Sequence, residues 1–452
     1  MARTVSIAIL AAGRGTRMQN PLSKVLHPLA GRPLIGHVLE VAKQIEATRV
    51  VAVLAAGMDA VAKVVRDSGL DARIAIQDPP HGTGHAVQCA QSELPDEGTV
   101  LVLYGDTPLV RAETLRQLAT KREDEQAAVA VLGMRPTDPS GYGRLRFHAD
   151  GQLAELVEER HADPELKRTG LCNSGVMAID AARLGELLAA MPLRPEKQEY
   201  YLTDIVGLAC ARGWPCTAIE GHWIEGLGIN SQAQLAEAAG LLQAQLRAQC
   251  LDGGVIMPAP DTVHLSADTE IGPGAVIEPY AVFGPGVKVA AGAVVKSFSH
   301  LEGVTIAAEA MIGPFARLRP GTVVQQGARV GNFVELKNAE LGSHAKASHL
   351  TYLGDCEIGS DVNIGAGTIT CNYDGFNKHR TTIGAGAFIG SNTAFVAPVE
   401  IGADAIVGAG STLTDDVPEN ALAIARERQR NLAERAPPLR ERLKNSGSQR
   451  RS

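Results

Sequence analysis

The residues best suited to phosphate chemistry follow the first apolar run of the chain. The segment VSIAIL leads directly into AAGRGTRM, a glycine-rich turn that carries Arg14 and Arg17 and is followed by Lys24. A turn of this kind after a strand presents backbone N–H groups and cations to phosphate. It lacks the GK[ST] ending of a Walker loop and the GxGxxG pattern of a dinucleotide fingerprint. The turn therefore indicates a phosphate site without specifying the ligand.

Two more segments are expected at the same edge, because ligands of open α/β sheets bind outside the carboxyl ends of the strands. The run TVLVLYGDTPLV ends in Asp106, a carboxylate that is suited to hold Mg²⁺ and equally suited to cap a turn or helix. The run QDPPHGTGH, from Gln77 to His85, places an amide next to a Gly-Thr-Gly turn. Such a turn permits the close approach of a flat base, although the run alone could also be a surface loop.

The elements that position these residues are predicted from hydrophobic patterns. Residues 5 to about 225 alternate short β-branched runs with amphipathic stretches, a pattern typical of strands and helices around a mostly parallel sheet. Apolar residues then recur at helical spacing from Ser231 to Leu251, which predicts a connecting helix.

Beyond Val255 the period changes to six residues, with an aliphatic or Phe residue at each step and often a glycine after it. The first such run is Ile271, Ile277, Phe283, Val289, Val295 and Leu301, and the last is Ile383, Ile389, Phe395, Ile401, Val407 and Leu413. This pattern predicts a β-solenoid with three faces and about 18 residues per coil, since a β-sandwich would not keep phase over so many repeats. The step breaks between Ile364 and Ile383, where CNYDGFNKHR intrudes. Interruptions of a regular scaffold commonly carry function.

Composition excludes several classes of protein. Asp and Glu (50) outnumber Lys and Arg (43), and the net charge is -7, so nucleic acid is not a favoured partner. No apolar run approaches the roughly 18 residues of a membrane span, and we expect a cytoplasmic protein. The seven cysteines lack a paired metal spacing and are expected to be reduced thiols. Residues 426–452 are rich in Arg and Lys and are predicted to form a flexible tail.

The motifs together resemble one known family over residues 5 to about 426. They are LAAGRGTRM, QxxxxGTGHA, YGDTPL, GYGR, VEE, CNSG, HLTYLGD and NIGAGTITCNYDG. The chain is similar to the bifunctional N-acetylglucosamine-1-phosphate uridyltransferase/glucosamine-1-phosphate N-acetyltransferase of bacteria. The resemblance implies an α/β chain with a Rossmann-like nucleotidyltransferase domain at 1–229, a linker helix at 230–251 and the basic tail at 426–452. Between helix and tail, at 252–425, it implies a left-handed parallel β-helix of hexapeptide repeats that assembles as a homotrimer.

The implied function is acetylation of glucosamine-1-phosphate with acetyl-CoA, followed by transfer of UMP from UTP to the product. This gives UDP-N-acetylglucosamine and pyrophosphate for peptidoglycan and lipopolysaccharide synthesis. One alternative is a single-activity sugar-phosphate nucleotidyltransferase whose β-helix is structural or regulatory. His349, Lys378 and the CNYDG insertion argue against it. A non-catalytic binding subunit is a further alternative, but it would have no reason to retain the phosphate cations and Asp106.

The resemblance also implies the residues of the uridyltransferase site. They are Leu10, Ala11, Ala12, Gly13, Arg17, Lys24, Gln77, Gly82, Thr83, Tyr104, Gly105, Asp106, Gly143, Glu158, Asn173 and Asn230. Arg17 and Lys24 would lie near the phosphates, and Asp106 and Asn230 would hold Mg²⁺. Two departures from the usual motifs concern loop geometry: Ser23 replaces a proline before Lys24, and serine follows Asn230 in place of a second asparagine. The reaction needs no general base, because the phosphate oxygen of the sugar is already anionic.

Acetyl transfer has the opposite requirement, because a protonated amine must lose its proton before it attacks a thioester. A histidine is the expected base, and the resemblance selects His349 among the solenoid histidines. Three histidines on neighbouring coils could also hold a metal, but no spacing marks three ligands. The sugar phosphate would be bound by Arg319, Lys337, Tyr352, Asn363 and Lys378. Acetyl-CoA would be bound by Ala366, Asn372, Tyr373, Ser391, Ala409 and Arg426.

Overall fold

The structure is a computed structural model of the chain and describes residues 4–13 and 15–448. The chain forms two compact units. The first contains Met1–Gln249 with Leu265–Asp268, and the second contains Cys250–His264 and Thr269–Ser452. Arg14 of the glycine-rich turn lies outside the described residues, as do the last four positions of the predicted tail.

The N-terminal part alternates strands and helices, as the sequence predicts. Its strands are β1 (Val5–Leu10), β2 (Pro28–Leu29), β3 (Arg32–Pro33), β4 (Arg49–Ala55), β5 (Ala72–Gln77), β6 (Thr99–Tyr104), β7 (Val129–Met134), β8 (Arg144–Phe147), β9 (Leu153–Val157), β10 (Cys172–Asp180), β11 (Leu193–Arg194), β12 (Glu199–Tyr200) and β13 (Cys216–Gly221). Its helices are α1 (Leu34–Gln44), α2 (Asp59–Arg66), α3 (Gly82–Ala90), α4 (Ala112–Asp124), α5 (Pro164–Arg168), α6 (Ala181–Ala189), α7 (Asp204–Ala211) and α8 (Gln232–Asp252).

The central sheet of this unit has the order β13-β7-β10-β6-β1-β4-β5. Strand β1 pairs in parallel with β4 and β6, whereas β10 runs antiparallel to β6 and β7. Ile7, Ala8 and Ile9 are fully buried because helices cover both faces of the sheet, as expected for a parallel sheet. The predicted α/β architecture is confirmed. The carboxyl ends of β1, β4 and β6 lie side by side. The glycine-rich turn directly follows β1, and Asp106 directly follows β6.

The second unit is a parallel β-helix whose strands repeat at the predicted spacing. They are β14 (Glu270–Ile271), β15 (Val276–Ile277), β16 (Val282–Phe283), β17 (Lys288–Val289), β18 (Val294–Val295), β19 (His300–Leu301), β20 (Val304–Ile306), β21 (Met311–Ile312), β22 (Arg317–Leu318), β23 (Thr322–Val324), β24 (Arg329–Leu341), β25 (Lys346–Ile358), β26 (Asn363–Ile364), β27 (Ile369–Cys371), β28 (Thr381–Ile383), β29 (Phe388–Ile389), β30 (Ala394–Val396), β31 (Val399–Ile401), β32 (Ile406–Val407), β33 (Thr412–Leu413) and β34 (Leu422–Ala423).

Each strand pairs in parallel with the strand one coil further along. Ile271 pairs with Val289, and Val289 pairs with Ile306, so the coil length is 18 residues in one case and 17 in the next. From Ile277 onward the repeated residues are buried, as the period predicts, whereas Ile271 in the first coil is partly exposed. One detail differs from the expected short strands: β24 and β25 continue for 13 residues each, because they pair with each other across two corners of the coil.

A ladder of aromatic rings runs along one corner of this β-helix. Tyr280, Phe298, Phe315 and Phe333 occupy the same corner in four successive coils, and neighbouring ring centroids are 5.0, 4.9 and 5.2 Å apart. Each of these residues has a positive φ, between 55° and 64°, a conformation that bulky residues rarely adopt. The rings are about half exposed. We call these four residues the aromatic ladder.

The predicted interruption of the period is present. Ile358 pairs with Ile383, 25 positions later, because the segment after Cys371 forms an exposed loop. Within the predicted tail, Ala436–Ser448 form helix α9, and the side chains described there are exposed. Among the residues that the structure describes, no helix is long and apolar enough to cross a membrane.

Candidate active sites

A cavity of about 710 Å³ opens at the carboxyl ends of β1 and β6 and at the start of α3. Its lining includes eleven of the residues predicted for the uridyltransferase site, namely Leu10, Ala11, Ala12, Gly13, Lys24, Gln77, Gly82, Thr83, Tyr104, Asp106 and Glu158. These residues are up to 148 positions apart in the chain. The sheet therefore assembles the predicted residues at one edge, as the topology of α/β folds requires.

Gln77 and Gly82 form the rigid part of this cavity. The buried Gln77 amide donates to the Gly82 carbonyl at 2.9 Å, which fixes its orientation. Gly82 has φ +88°, and a Cβ there would lie 2.7 Å from the carbonyl oxygen of Tyr200 in strand β12. The absence of a side chain thus lets the β11–β12 hairpin close against the start of α3, where the Tyr200 N–H donates to His81 at 2.7 Å.

We expect Gly82→Ala to lower the stability of the first unit by about 1–3 kcal/mol, because it adds a collision to an unfavourable φ. The same change should raise the KM for UTP, since the hairpin must move away from the cavity. Thermal unfolding and uridyl-transfer kinetics measure both effects. Gly57→Ala is a matched control. Gly57 has a similar φ of +79°, but a Cβ added there would meet no atom within 4 Å. Equal kinetic effects of the two substitutions would contradict a specific role for the close contact at Gly82.

A cluster of charged and amide groups lies beside the cavity. The Lys24 ammonium forms an ion pair with Asp106 and donates to Asn230 Oδ1 at 3.0 Å. Arg17 donates to the same amide oxygen at 2.8 Å. The side chains of Lys24 and Asp106 are only 13% and 18% exposed, so this pairing is shielded from bulk water. We call these four residues the cation–acid cluster.

The donor atoms of this cluster fit a divalent cation. A carboxylate oxygen of Asp106 and the amide oxygen of Asn230 converge on one positive group, the Lys24 ammonium. Hard oxygen ligands of this kind are the ones that Mg²⁺ takes from proteins, and it completes its shell with phosphate and water. Asp106 and Asn230 would be available to hold such a cation only where Lys24 does not occupy their oxygens. The predicted metal ligands are thus brought together, although their role as ligands stays a prediction.

Helix α8 holds Asn230 in position. Ala238 and Leu242 of the helix are buried against Leu29 and Leu34, and the Asn230 N–H donates to the side chain of Gln234 at 2.8 Å. The preceding segment is fixed by the buried Glu225. This carboxylate accepts from the backbone and guanidinium of Arg111 and from Thr114. The position of Asn230, a predicted metal ligand, therefore depends on tertiary contacts that no local motif indicates.

A second cavity of about 450 Å³ shares Tyr104 and Asp106 with the first and is also lined by Arg17 and Asn230. Burial, followed by the charge of Asp106, raises the pKa of the Tyr104 hydroxyl far above its ordinary value, so it remains a neutral group. The GYGR loop contributes Gly141 and Tyr142 to the lining. This cavity continues from the cation–acid cluster toward the segments predicted to hold the sugar.

Three predicted residues do not line either cavity. Gly105 follows β6, and its N–H donates to the Leu10 carbonyl at 2.9 Å. The Gly143 carbonyl accepts from the Asn173 N–H at 2.8 Å, and the Asn173 side chain accepts from Gly175. These contacts join the GYGR and CNSG motifs to each other. Their predicted contact with the sugar stays a prediction.

Part of the larger cavity is lined by residues that the sequence did not predict, and most of them come from the β11–β12 hairpin and the segment after it. The missed lining residues of the hairpin and the segment after it include Lys197, Glu199, Tyr201 and Thr203, and Arg160 is added by the short turn after β9. The polar and aromatic run EYYLTD, directly before helix α7, was a usable signal. The closeness of this run to α3 depends on the contact at Gly82, which the sequence alone does not reveal.

In the β-helix, His349 lies at the corner where the aromatic ladder ends. Its Nδ1 is 2.7 Å from Oδ1 of Asn332, the residue one coil earlier on the same edge. The histidine is exposed, so a substrate can reach its other ring nitrogen. The arrangement provides a proton acceptor at the surface of the β-helix, with its ring held from one side.

Several residues predicted for the sugar phosphate and the acetyl group meet at the next corner. Asp355 accepts from Asn338 at 2.8 Å, from Asn372, and from Lys337 at 3.4 Å. Burial raises the pKa of Asp355, but the two amide hydrogen bonds and the charge of Lys337 outweigh it, so the pKa lies below its ordinary value. Asp355 is therefore a carboxylate at neutral pH. The Tyr352 hydroxyl also lies near this corner. It is so close to Gly354 that a Cβ on that glycine would collide with it.

The inserted loop is ordered by its own contacts. Asp374 accepts from two backbone N–H groups and from His379 Nε2 at 2.7 Å, and these bonds hold its pKa well below the ordinary value. The Lys378 ammonium lies 4.2 Å from the centroid of the Tyr373 ring. Phe376, at the tip, is 92% exposed. The loop thus presents a cation and two aromatic rings outward from the scaffold.

The remaining predicted residues follow the outer surface of the β-helix. Arg319 pairs with Glu335 at 2.9 Å, and Asn363 lies on an outward row beside Phe388. Three predicted acetyl-CoA residues share the corner of His349 in later coils, namely Ala366, Ser391 and Ala409. Arg426 reaches the same edge, since its Cδ lies 3.8 Å from the position of a Cβ on Gly410. These four residues predicted to bind acetyl-CoA therefore lie along the same corner of the β-helix in later coils.

Comparison with known proteins agrees with this division of the chain. A family model described as MobA-like NTP transferase domain matches residues 7–169, and one described as bacterial transferase hexapeptide (six repeats) matches residues 380–415. Together with the two sites, these matches define a transferase with a nucleotidyltransferase unit and a hexapeptide-repeat unit.

The relatives extend the match to nearly the whole chain. The protein named "Bifunctional protein GlmU" from Paramagnetospirillum magneticum is 50% identical over 95% of each chain. Those of the same name from Jannaschia sp. and Zymomonas mobilis are 48% and 46% identical over 98% and 97% of this chain, and over 97% and 98% of their own. The chain belongs to the GlmU family, and it is a bifunctional acetyltransferase and uridyltransferase.

A solved structure of a putative glucose-1-phosphate thymidylyltransferase from Bacillus anthracis covers 53% of this chain and 95% of its own, with 20% identity and a TM-score of 0.44. At that score the likeness adds nothing to the family assignment.

Proposed function

We propose that the β-helix acetylates glucosamine-1-phosphate with acetyl-CoA, and that the α/β unit then transfers UMP from UTP to the N-acetylglucosamine-1-phosphate formed. The products are UDP-N-acetylglucosamine, which serves peptidoglycan and lipopolysaccharide synthesis, and pyrophosphate. The observation that carries this proposal is the separation of two chemistries. The cation–acid cluster lies in the first unit, whereas the exposed His349 lies in the second.

Uridyl transfer uses the first unit for positioning and for charge. The sugar phosphate attacks the α-phosphorus of UTP, and pyrophosphate leaves with additional negative charge. Arg17 and Lys24 neutralise that charge and orient the triphosphate in line with the attacking oxygen. Asp106 and Asn230 would hold Mg²⁺, which when bound supplies further positive charge to the phosphates. The glycine-rich turn and Gln77 would hold the uridine in the larger cavity.

Acetyl transfer uses His349 as the general base. Because Asn332 occupies the Nδ1 side, the Nε2 atom is the one that takes the proton from the substrate ammonium. The phosphate of the sugar would be bound by the cations Arg319, Lys337 and Lys378, which gives a dianion three positive partners. Ser391 would donate to the thioester carbonyl oxygen as negative charge develops there. The C–S bond then breaks, and the CoA thiolate takes up the second proton released by the attacking nitrogen, which gives free CoA thiol and the N-acetyl product.

We further propose that the protein works in the cytoplasm as a homotrimer, with each acetyltransferase site completed by a neighbouring subunit. Support comes from the exposure of His349 and of the Lys378 loop, which leaves the outer side of the site open in a single chain. The apolar side chains of Phe388, Ile406 and Leu422 form an exposed row beside it. Such a row is suited to burial against another chain.

The experiment that tests the proposal uses the whole protein with glucosamine-1-phosphate, acetyl-CoA, UTP and Mg²⁺. We expect both free CoA thiol and pyrophosphate, measured by a thiol reagent and a coupled phosphate assay. When acetyl-CoA is left out, pyrophosphate release should fall, and supplied N-acetylglucosamine-1-phosphate should restore it. Pyrophosphate without any CoA thiol would indicate a single-activity nucleotidyltransferase instead.

A further inference from the structure

We propose that Asn332 is a positioning residue for acetyl transfer, because its amide oxygen fixes the tautomer and the ring orientation of His349. The inference rests on the proposed function of His349 as general base. It starts from the hydrogen bond of 2.7 Å between His349 Nδ1 and Asn332 Oδ1.

The chemistry of the two atoms determines the direction of this bond. An amide oxygen can only accept, so the hydrogen must be on Nδ1. A neutral imidazole carries one N–H, and the lone pair is then on Nε2. Without a partner at Nδ1, the hydrogen would distribute between both nitrogens and the ring would turn freely. In the neutral ring, Asn332 therefore leaves the lone pair on Nε2 and holds the imidazole from its Nδ1 side.

The fold makes this contact possible through the pairing of two long strands. Asn332 of β24 and His349 of β25 are paired residues one coil apart. Each is followed by a residue with positive φ, Phe333 at 56° and Leu350 at 50°. The backbone therefore makes the same turn after Asn332 and after His349. The Phe333 ring stacks on Phe315 at 5.2 Å. The aromatic ladder thus anchors the corner from which Asn332 projects.

Two substitutions separate positioning from a general structural effect. Asn332→Ala removes the acceptor and should lower the kcat of acetyl transfer about tenfold, well below the loss on removing the base, with less than about a twofold change in either KM. Asn332→Asp keeps an acceptor and adds a negative charge beside the ring. It should restore kcat at alkaline pH. It should also shift the acid limb of the kcat/KM profile to higher pH by about one unit, because a nearby carboxylate favours the imidazolium.

The controls use the same edge and the other site. Ser297→Ala changes the residue that precedes Phe298, as Asn332 precedes Phe333, and should leave the acetyl-transfer profile unchanged. Uridyl transfer from supplied N-acetylglucosamine-1-phosphate should be normal in all variants. Equal losses in Asn332→Ala and Asn332→Asp without a displaced acid limb would overturn the proposal. So would wild-type rates and profiles in both.

The outcome for His349 itself is distinguishable from this result. If His349→Ala keeps the wild-type acetylation rate, the proposed function of the histidine is wrong and the role of Asn332 is wrong with it. If His349→Ala is inactive but the Asn332 variants behave as wild type, only the positioning role is overturned.

Discussion

His349→Ala is expected to lower the rate of acetyl transfer by about 10²- to 10⁴-fold, the usual contribution of a general base. The ammonium of the substrate must lose a proton before its nitrogen can attack the thioester, and no other described imidazole lies on this corner. The measurement is release of CoA thiol at neutral pH. Raising the pH should partly restore the variant, because more of the substrate amine is then free without an enzymic base.

Binding and folding controls accompany this variant. Acetyl-CoA affinity should persist, since the residues proposed to bind it follow His349 in later coils, and uridyl transfer should be unchanged. His300→Ala is a matched control, because His300 is an exposed histidine on the outer surface of the same β-helix. Wild-type acetylation by His349→Ala at neutral pH would refute the assignment. Loss of acetyl-CoA binding would assign His349 a structural role instead.

The second large effect is expected for Asp106→Asn, which should reduce pyrophosphate release by at least about 10²-fold. The amide keeps the shape of the side chain but removes the charge that pairs with Lys24 and that would hold Mg²⁺. Acetyl transfer should stay near the wild-type rate, because no metal is needed there. Both rates can be followed in one reaction mixture.

Two comparisons sharpen this test. Asp150→Asn makes the same change of charge on an exposed turn of the same unit and should have no effect on uridyl transfer. Asn230→Ala removes the neutral partner and should cost less than Asp106→Asn, with a higher Mg²⁺ requirement. An equal loss of acetyl and uridyl transfer in Asp106→Asn would contradict separate sites.

The sequence predicted those features that arise from periodicity and from strand ends. The buried run before the glycine-rich turn is β1, Asp106 follows β6, and the six-residue step gives the coils of the β-helix. These features are local, or repeat at a fixed spacing, so residue types alone define them. The gathering of Lys24 and Asp106 at one edge also follows from the topology of parallel sheets.

Other features depend on contacts that no local pattern contains. Lys24 and Asn230 are 206 residues apart, and their hydrogen bond depends on how α8 packs. The approach of the hairpin to Gly82 likewise depends on a tertiary contact. The pair Asn332 and His349 is different, because the two residues are separated by one coil length of 17. The coil length therefore predicts that these two residues are neighbours, whereas the inward aliphatic residues that define the period give no sign of the contact.

The aromatic ladder adds a spectroscopic contribution from the second unit to a signal that the first unit also produces. Both tryptophans of the chain, Trp214 and Trp223, precede the β-helix, so intrinsic tryptophan fluorescence reports on the first unit alone. The stacked rings from Tyr280 to Phe333 add a contribution from the second unit to the near-ultraviolet circular dichroism, to which the tryptophans and tyrosines of the first unit also contribute. Denaturation followed by both methods therefore resolves whether the units unfold together, and a single midpoint should not be assumed for the whole chain.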